Sequence, residues 1–117
     1  MATRKEIGNK GEENAVSFLF ANGYEVLERN YRFGRGEIDI IALKNSVMVF
    51  IEVKTRSRTD YGYPEQTLSP GQAQKIIEAA QEYIRASQWE GLIRFDIVAI
   101  TINTREVEIQ LFRDAFY

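Results

Sequence analysis

Two short segments of the sequence carry carboxylates and a lysine at a spacing that could do chemistry. The first, residues 36–39, ends at Asp39, and the second, residues 51–54, contains Glu52 and Lys54. Both lie within β-branched, apolar runs that are typical of strands covered on both faces. An unpaired carboxylate in such a strand would cost several kcal/mol, so the sequence predicts a positively charged partner for these acids.

A β-hairpin would bring the two segments together, because a polar turn at Asn45-Ser46 separates the two apolar runs. A turn centred there pairs Asp39 with Glu52, and the same register sets Glu37 against Lys54. Side chains alternate along a strand, so we expect all four to project from one face. Directly opposed Cβ atoms lie about 4.5–5.5 Å apart, a separation at which two carboxylates repel each other.

The partner of the two carboxylates is either Lys54 or a divalent cation. The chain has no histidine and no cysteine, which excludes Ser-His-Asp triads, zinc sites of the HExxH type and thiolate nucleophiles. Oxygen ligands alone suit Mg²⁺, Mn²⁺ or Ca²⁺, and magnesium commonly adds water and substrate phosphate to one or two carboxylates. Such an ion would activate a bound water, which Lys54 would orient. A purely structural ion cluster is the alternative.

Glu12 is a candidate third acid, contributed by the first predicted helix. With about 100° of rotation per residue, it falls about 20° from Leu19, at the margin of the apolar stripe, whereas Glu13 lies on the polar side. Gly8 and Gly11 are poor helix formers beside it, which indicates a helix pressed closely against the sheet. The alternative is an ordinary acid on the flank of the helix.

The remaining elements are predicted from capping boxes, periodicity and turn residues. We expect helices over about residues 4–22 and 70–87, strands over 24–31, 38–43, 47–55, 93–102 and 106–112, and a loop over 56–68. The order is α-β-β-β-α-β-β. With 117 residues and no repeat or linker, residues 1–117 are predicted to form a single domain.

Basic residues are concentrated in one part of this acidic chain, whose net charge is −2. Residues 29–58 hold seven basic and three acidic residues, whereas the remainder holds eight basic and fourteen acidic ones. This pattern suits a protein that contacts phosphates at one place, with an ordinary solvated surface as the alternative. The residues predicted to contact nucleic acid are Arg29, Arg32, Arg35, Thr55, Arg56 and Arg58.

A membrane location is not expected. Residues 1–10 contain no apolar segment, and the longest apolar run, residues 47–51, is far shorter than the ~18 residues that a membrane span needs. We therefore predict a cytoplasmic protein. Arg94 and Asp96 lie on one face of a later predicted strand, where we expect them to form a structural pair.

Asp39, followed by Glu52 and Lys54, resembles the PD-(D/E)xK phosphodiesterase motif, and residues 38–58 are similar to archaeal Holliday junction resolvases. Nearly the whole chain resembles the YraN family of small bacterial proteins. The segments that carry this resemblance are Gly8, Gly11 and Glu12, then Gly23-Tyr24, Arg29-Asn30-Tyr31-Arg32, Gly36-Glu37-Ile38-Asp39-Ile40-Ile41, Phe50-Ile51-Glu52-Val53-Lys54-Thr55-Arg56 and Arg94-Phe95-Asp96.

This resemblance implies a restriction-endonuclease-like α/β fold, with a mixed central β-sheet flanked by helices. It implies that Asp39, Glu52 and the carbonyl of Val53 hold Mg²⁺ or Mn²⁺, with Lys54 near the attacking water. Glu12 matches an acid that resolvase-like members add to the site from a helix.

The expected function is metal-dependent hydrolysis of DNA phosphodiester bonds, with branched and flap structures as candidate substrates. The alternative is a non-catalytic nucleic-acid-binding or adaptor protein that retains the nuclease fold. A resolvase-like activity needs two sites related by symmetry, so a homodimer is a further expectation.

Overall fold

The protein is described by a computed structural model that covers residues 3–57, 68–103 and 105–116. Its elements are α1 (Arg4–Ala21), β1 (Glu25–Phe33), β2 (Gly36–Lys44), β3 (Val47–Ser57), α2 (Pro70–Ser87), β4 (Leu92–Ile102) and β5 (Val107–Phe112). The predicted order α-β-β-β-α-β-β is confirmed. Residues 56 and 57 belong to β3, and most of the loop predicted over 56–68 lies outside the described residues.

Both helices begin at side chains that accept hydrogen bonds from free main-chain N–H groups. The Thr3 hydroxyl accepts from the N–H of Glu6 at 3.1 Å, and Ser69 with Gln72 forms a complete capping box ahead of α2. α1 ends before Gly23, whose φ of 85° is a left-handed conformation that glycine adopts without strain. In the described part of the chain, neither helix combines the length and the apolar run that crossing a bilayer requires.

The five strands form one mixed sheet in the order β1-β2-β3-β4-β5. The neighbours are antiparallel except for β3 and β4, which run parallel and are connected through the segment that contains α2. The predicted hairpin turn at Asn45-Ser46 is confirmed, with φ angles of 50° and 62° that match the twist of the flanking strands.

Each helix covers one face of the sheet and buries a core of its own. The core under α1 contains Ala15 and Leu19 of the helix, packed with Ile40 and Val49 among others. On the other face, four residues of α2 pack with residues that include Phe50. The prediction that the central strands are apolar on both faces is therefore confirmed, and charged groups in these strands need specific partners.

Arg94 and Asp96 form the structural pair that the sequence predicts. Asp96 is fully buried, and the Arg94 Nε donates to its two carboxylate oxygens at 2.9 and 3.0 Å. The main-chain N–H of Asp114 donates to the same carboxylate at 3.1 Å, and Arg94 also donates to the Tyr24 hydroxyl at 3.1 Å. This network connects β4 to the segments that precede β1 and follow β5, so its role is to hold the sheet together.

Candidate functional site

The strands that carry Asp39 and Glu52 separate at the candidate site. The β2–β3 ladder ends at the pair Ile40–Ile51, one pair short of the predicted pairing of the two acids. Instead, the Asp39 Oδ2 accepts a hydrogen bond from the main-chain N–H of Val53 at 2.8 Å. The predicted direct pairing is therefore wrong, because the Asp39 side chain takes the place of a ladder partner in the gap between the strands.

The second predicted pairing, of Glu37 with Lys54, is wrong for the same reason. Glu37 pairs instead with Arg32 of β1, and the Arg32 guanidinium lies 3.2 Å from its carboxylate. Ile38 belongs to the core under α2, whereas Ile40 belongs to the core under α1. Residues two apart normally share a face, so β2 switches faces here and the predicted common face of the four polar side chains is interrupted.

The carboxyl groups of Asp39 and Glu52 nevertheless meet in this gap. Burial is the largest cause that raises the pKa of Glu52, to about 9, followed by a hydrogen bond with Asp39 and by its negative charge. The positive charge of Lys54 lowers this pKa but does not offset the other effects, and Glu37 raises it further. Glu52 therefore holds a proton at neutral pH that a bound cation would displace.

Glu12 approaches the same acids from α1. Its side chain is half-buried, and burial and the charge of Asp39 are the main causes that raise its pKa. The charge of Arg29 and a hydrogen bond from the Asn30 side chain lower it, and Glu37 raises it. The three acids, from α1, β2 and β3, thus lie close enough together for the charge of Asp39 to raise the pKa of the other two.

A close contact between α1 and β3 brings Glu12 near the other two acids. A Cβ added to Gly11 would lie 2.1 Å from the Oγ1 of Thr55, so the helix can approach only because residue 11 has no side chain. The expected close packing is confirmed at Gly11 and is wrong at Gly8, where an added Cβ meets no atom within 4 Å. Gly11 and Thr55 are the chain neighbours of Glu12 and Lys54, so this contact holds both near the gap.

Substituting these two glycines is expected to have opposite effects. Gly11→Ala should destabilise the fold by about 1–3 kcal/mol because its methyl overlaps Thr55. Gly8→Ala, in the same helix and in open space, should stabilise by up to about 1 kcal/mol through helix propensity. Urea unfolding measures both, and Thr55→Ala should return part of the loss in Gly11→Ala. Equal effects at the two positions would contradict the close-contact interpretation.

The residues predicted to contact nucleic acid occupy different environments. Arg29 lies 3.2 Å from the Glu13 carboxylate of α1, and the pair of Arg32 with Glu37 has the same separation. Arg35 is exposed in the turn between β1 and β2, and Arg56 is half-buried in β3.

Two members of the predicted set differ from this surface group. Thr55 packs its side chain against Gly11 and is only partly exposed. Arg58 lies outside the described residues.

The donors at the gap fit a hard divalent cation. Asp39 and Glu52 supply carboxylate oxygens, and the carbonyl of Val53 belongs to the residue whose N–H already binds Asp39. Within residues 3–57, 68–103 and 105–116, no three acidic side chains form a ligand group of their own. Two carboxylates with a main-chain carbonyl match the small number of protein ligands that Mg²⁺ takes beside water and phosphate.

Residues 11–100 match the model of the "Uncharacterised protein family UPF0102". The chain belongs to this family. A UPF0102 protein of Flavobacterium psychrophilum is 42% identical over 117 residues, covering 100% of this chain and 98% of that protein. One from Cytophaga hutchinsonii is 49% identical over 94 residues, covering 80% and 83% of the two chains. Another from Caldicellulosiruptor saccharolyticus is 37% identical over 116 residues, covering 97% and 98%.

The UPF0102 match confirms the resemblance to YraN at the level of the family and includes the whole gap. It begins at Gly11, the glycine that lets α1 approach β3, and ends at Ile100 within β4. Membership of the PD-(D/E)xK superfamily remains a prediction from the motif. The UPF0102 description names no reaction, so the chemistry depends on the residues of the gap.

Sequence reasoning missed the part that Asn30 plays in this site. Asn30 has a φ of 54° inside β1, and its side chain lowers the pKa of Glu12. Asparagine tolerates the left-handed conformation better than most residues, but nothing in the sequence pattern distinguishes a left-handed residue within a strand from an ordinary strand asparagine.

Proposed function

We propose that this protein is a metal-dependent phosphodiesterase that hydrolyses DNA in the cytoplasm, with Asp39, Glu52 and the carbonyl of Val53 as ligands of Mg²⁺ or Mn²⁺. The observation that carries this proposal is the contact between two half-buried carboxyl groups where β2 and β3 separate, beside a lysine. In a structural ion cluster, basic side chains would be expected to neutralise the carboxylates. Here the charge of Lys54 is not sufficient, and Glu52 is neutral because it holds a proton.

The residues of the gap have separate parts in the proposed hydrolysis. A bound Mg²⁺ or Mn²⁺ supplies Lewis acidity that polarises a phosphoryl oxygen and lowers the pKa of a bound water. Lys54 orients the attacking water and offsets the negative charge that develops on phosphorus. Glu12 is the acid that α1 contributes, and its pKa, raised mainly by burial, suits it to proton exchange with water during the reaction.

The DNA proposal is supported by the cations around this gap. Arg29 and Arg32 have surface acids as partners, and exposed ion pairs contribute only about 0–1 kcal/mol, so phosphates could replace those acids at little cost. Arg35, in the turn between β1 and β2, and Arg56 of β3 add further positive charge. Branched or flap DNA and a homodimer are parts of this proposal, since cleaving two strands of a junction requires two sites.

Calorimetric titration with Mn²⁺ tests the metal site. We expect binding by the wild type and its loss in Asp39→Asn, whose side-chain oxygen still accepts from the N–H of Val53 and preserves the fold. Asp114→Asn is the matched control, because it makes the same change at an exposed turn and should bind as the wild type does. Equal Mn²⁺ binding by the wild type and Asp39→Asn would refute the site.

Cleavage of labelled junction, flap and single-stranded DNA tests the reaction itself. Metal-dependent cleavage by the wild type is the expected result. Binding of DNA without cleavage, in the presence of bound Mn²⁺, would instead support the non-catalytic adaptor.

A further inference from the structure

Asn30 adopts a left-handed backbone conformation, which is unusual inside a β-strand. Among the described residues, five residues other than glycine have a positive φ, and Asn30, at 54°, is the one that lies inside a strand. The others lie in turns or at a helix end: Asn45, Ser46, Gln88 and Asp114. Left-handed residues other than glycine carry a free-energy cost and persist where the surrounding structure requires them.

The left-handed residue makes β1 switch faces. Arg29 lies on the α1 side of the sheet, where its guanidinium is 3.2 Å from Glu13. Tyr31 lies on the α2 side, where its ring packs edge-on against Tyr83 with centroids 5.1 Å apart. In a regular strand, residues two apart share a face, so β1 departs from regular alternation at Asn30, as it also does at the register shift between Val26 and Glu28.

Strand β2 switches faces at the residue opposite Asn30. Arg29 pairs with Ile40, and Tyr31 pairs with Ile38, so Asp39 lies across from Asn30. Ile40 and Ile38 belong to opposite cores, as their partners on β1 do. The two strands therefore stay in register through the switch, and Asp39 lies where its side chain enters the gap toward β3.

The side chain of Asn30 also lies near the other acid of the site, since it lowers the pKa of Glu12 on α1.

We propose that Asn30 is a positioning residue of the candidate site, which places Asp39 through its left-handed backbone. This inference rests on the proposed function only for its effect on metal binding. The competing explanation is that the irregularity at Asn30 merely protects an edge strand from pairing with other chains.

Hydrogen exchange of the Val53 amide tests this placement in metal-free buffer, because that N–H donates to Asp39. Asn30→Ala disfavours the left-handed backbone, whereas Asn30→Gly keeps it. We expect Asn30→Ala to speed exchange at Val53 about tenfold and Asn30→Gly to leave it near the wild-type rate. Asn45→Ala is the matched control, since it makes the same change at a φ of 50° in the hairpin turn and should speed exchange at Val53 no more than at other core amides. Equal exchange at Val53 in Asn30→Ala and Asn30→Gly would overturn the inference.

Mn²⁺ titration tests the consequence for the site. We expect Asn30→Ala to weaken binding about tenfold, as is usual when a residue that orients metal ligands is removed, and Asn30→Gly and Asn45→Ala to leave it near that of the wild type. Wild-type affinity in Asn30→Ala would contradict the positioning role. If the wild type itself binds no Mn²⁺, the proposed function fails, and hydrogen exchange at Val53 still decides whether Asn30 places Asp39.

Discussion

Replacing Lys54 with methionine is expected to reduce DNA cleavage by about 10²–10³-fold while leaving Mn²⁺ binding in place. The ammonium group acts on the site, because its charge lowers the pKa of Glu52. Methionine keeps the length and the apolar stem of the side chain and removes the charge that would orient water and stabilise the transition state. Single-turnover cleavage with saturating Mn²⁺ measures the chemical step, and calorimetry on the same variant measures metal binding.

Lys44→Met is the matched control for this variant. Lys44 ends β2 at the far end of the hairpin, and its Nζ lies 4.8 Å from the centre of the Tyr24 ring. This change removes the same charge from a neighbouring strand, so it should leave the cleavage rate near that of the wild type. If both variants cleave equally, Lys54 has no specific part in catalysis. If Lys54→Met loses Mn²⁺ binding as well, its charge acts on the ligands rather than on the reaction.

Local sequence signals were sufficient to predict the elements and their order. The Asn45-Ser46 turn fixed the register of the β2–β3 hairpin, and pairing follows that register from the turn as far as Ile40 and Ile51. The capping box at Ser69 marked the start of α2. These signals depend on neighbours in the chain, so a single sequence contains them.

The geometry of the gap could not be predicted in the same way, because it depends on three elements at once. The register argument extended a regular ladder through Asp39, whereas the left-handed Asn30 of the neighbouring strand ends that regularity. Likewise, Arg29 has its partner, Glu13, on a helix sixteen residues earlier in the chain. Tertiary contacts of this kind leave no periodic pattern, although the residue types that they bring together were identified.

The stability of the metal-free protein is expected to fall as the pH rises from about 5 to 9. The folded-state pKa of Glu52 is about 9, well above its ordinary value of 4.5. The folded protein therefore holds a proton that the unfolded chain has already released in this range, so raising the pH favours unfolding. Thermal unfolding across the pH range measures the slope, and Glu52→Gln should flatten it and raise the melting temperature at pH 8. Glu90→Gln, at an exposed position, is the control and should preserve the wild-type slope.

Added Mn²⁺ separates the metal site from a structural ion cluster, because both interpretations predict that Asp39→Asn with Glu52→Gln is stabilised in metal-free buffer at pH 8. Only a metal site predicts that Mn²⁺ then raises the melting temperature of the wild type and not that of the double variant, since the cation replaces the proton on Glu52. Each kcal/mol of binding free energy should appear as roughly 4 °C in a domain of this size. A wild type that keeps its steep pH dependence at saturating Mn²⁺ would show that the two acids do not bind the ion together.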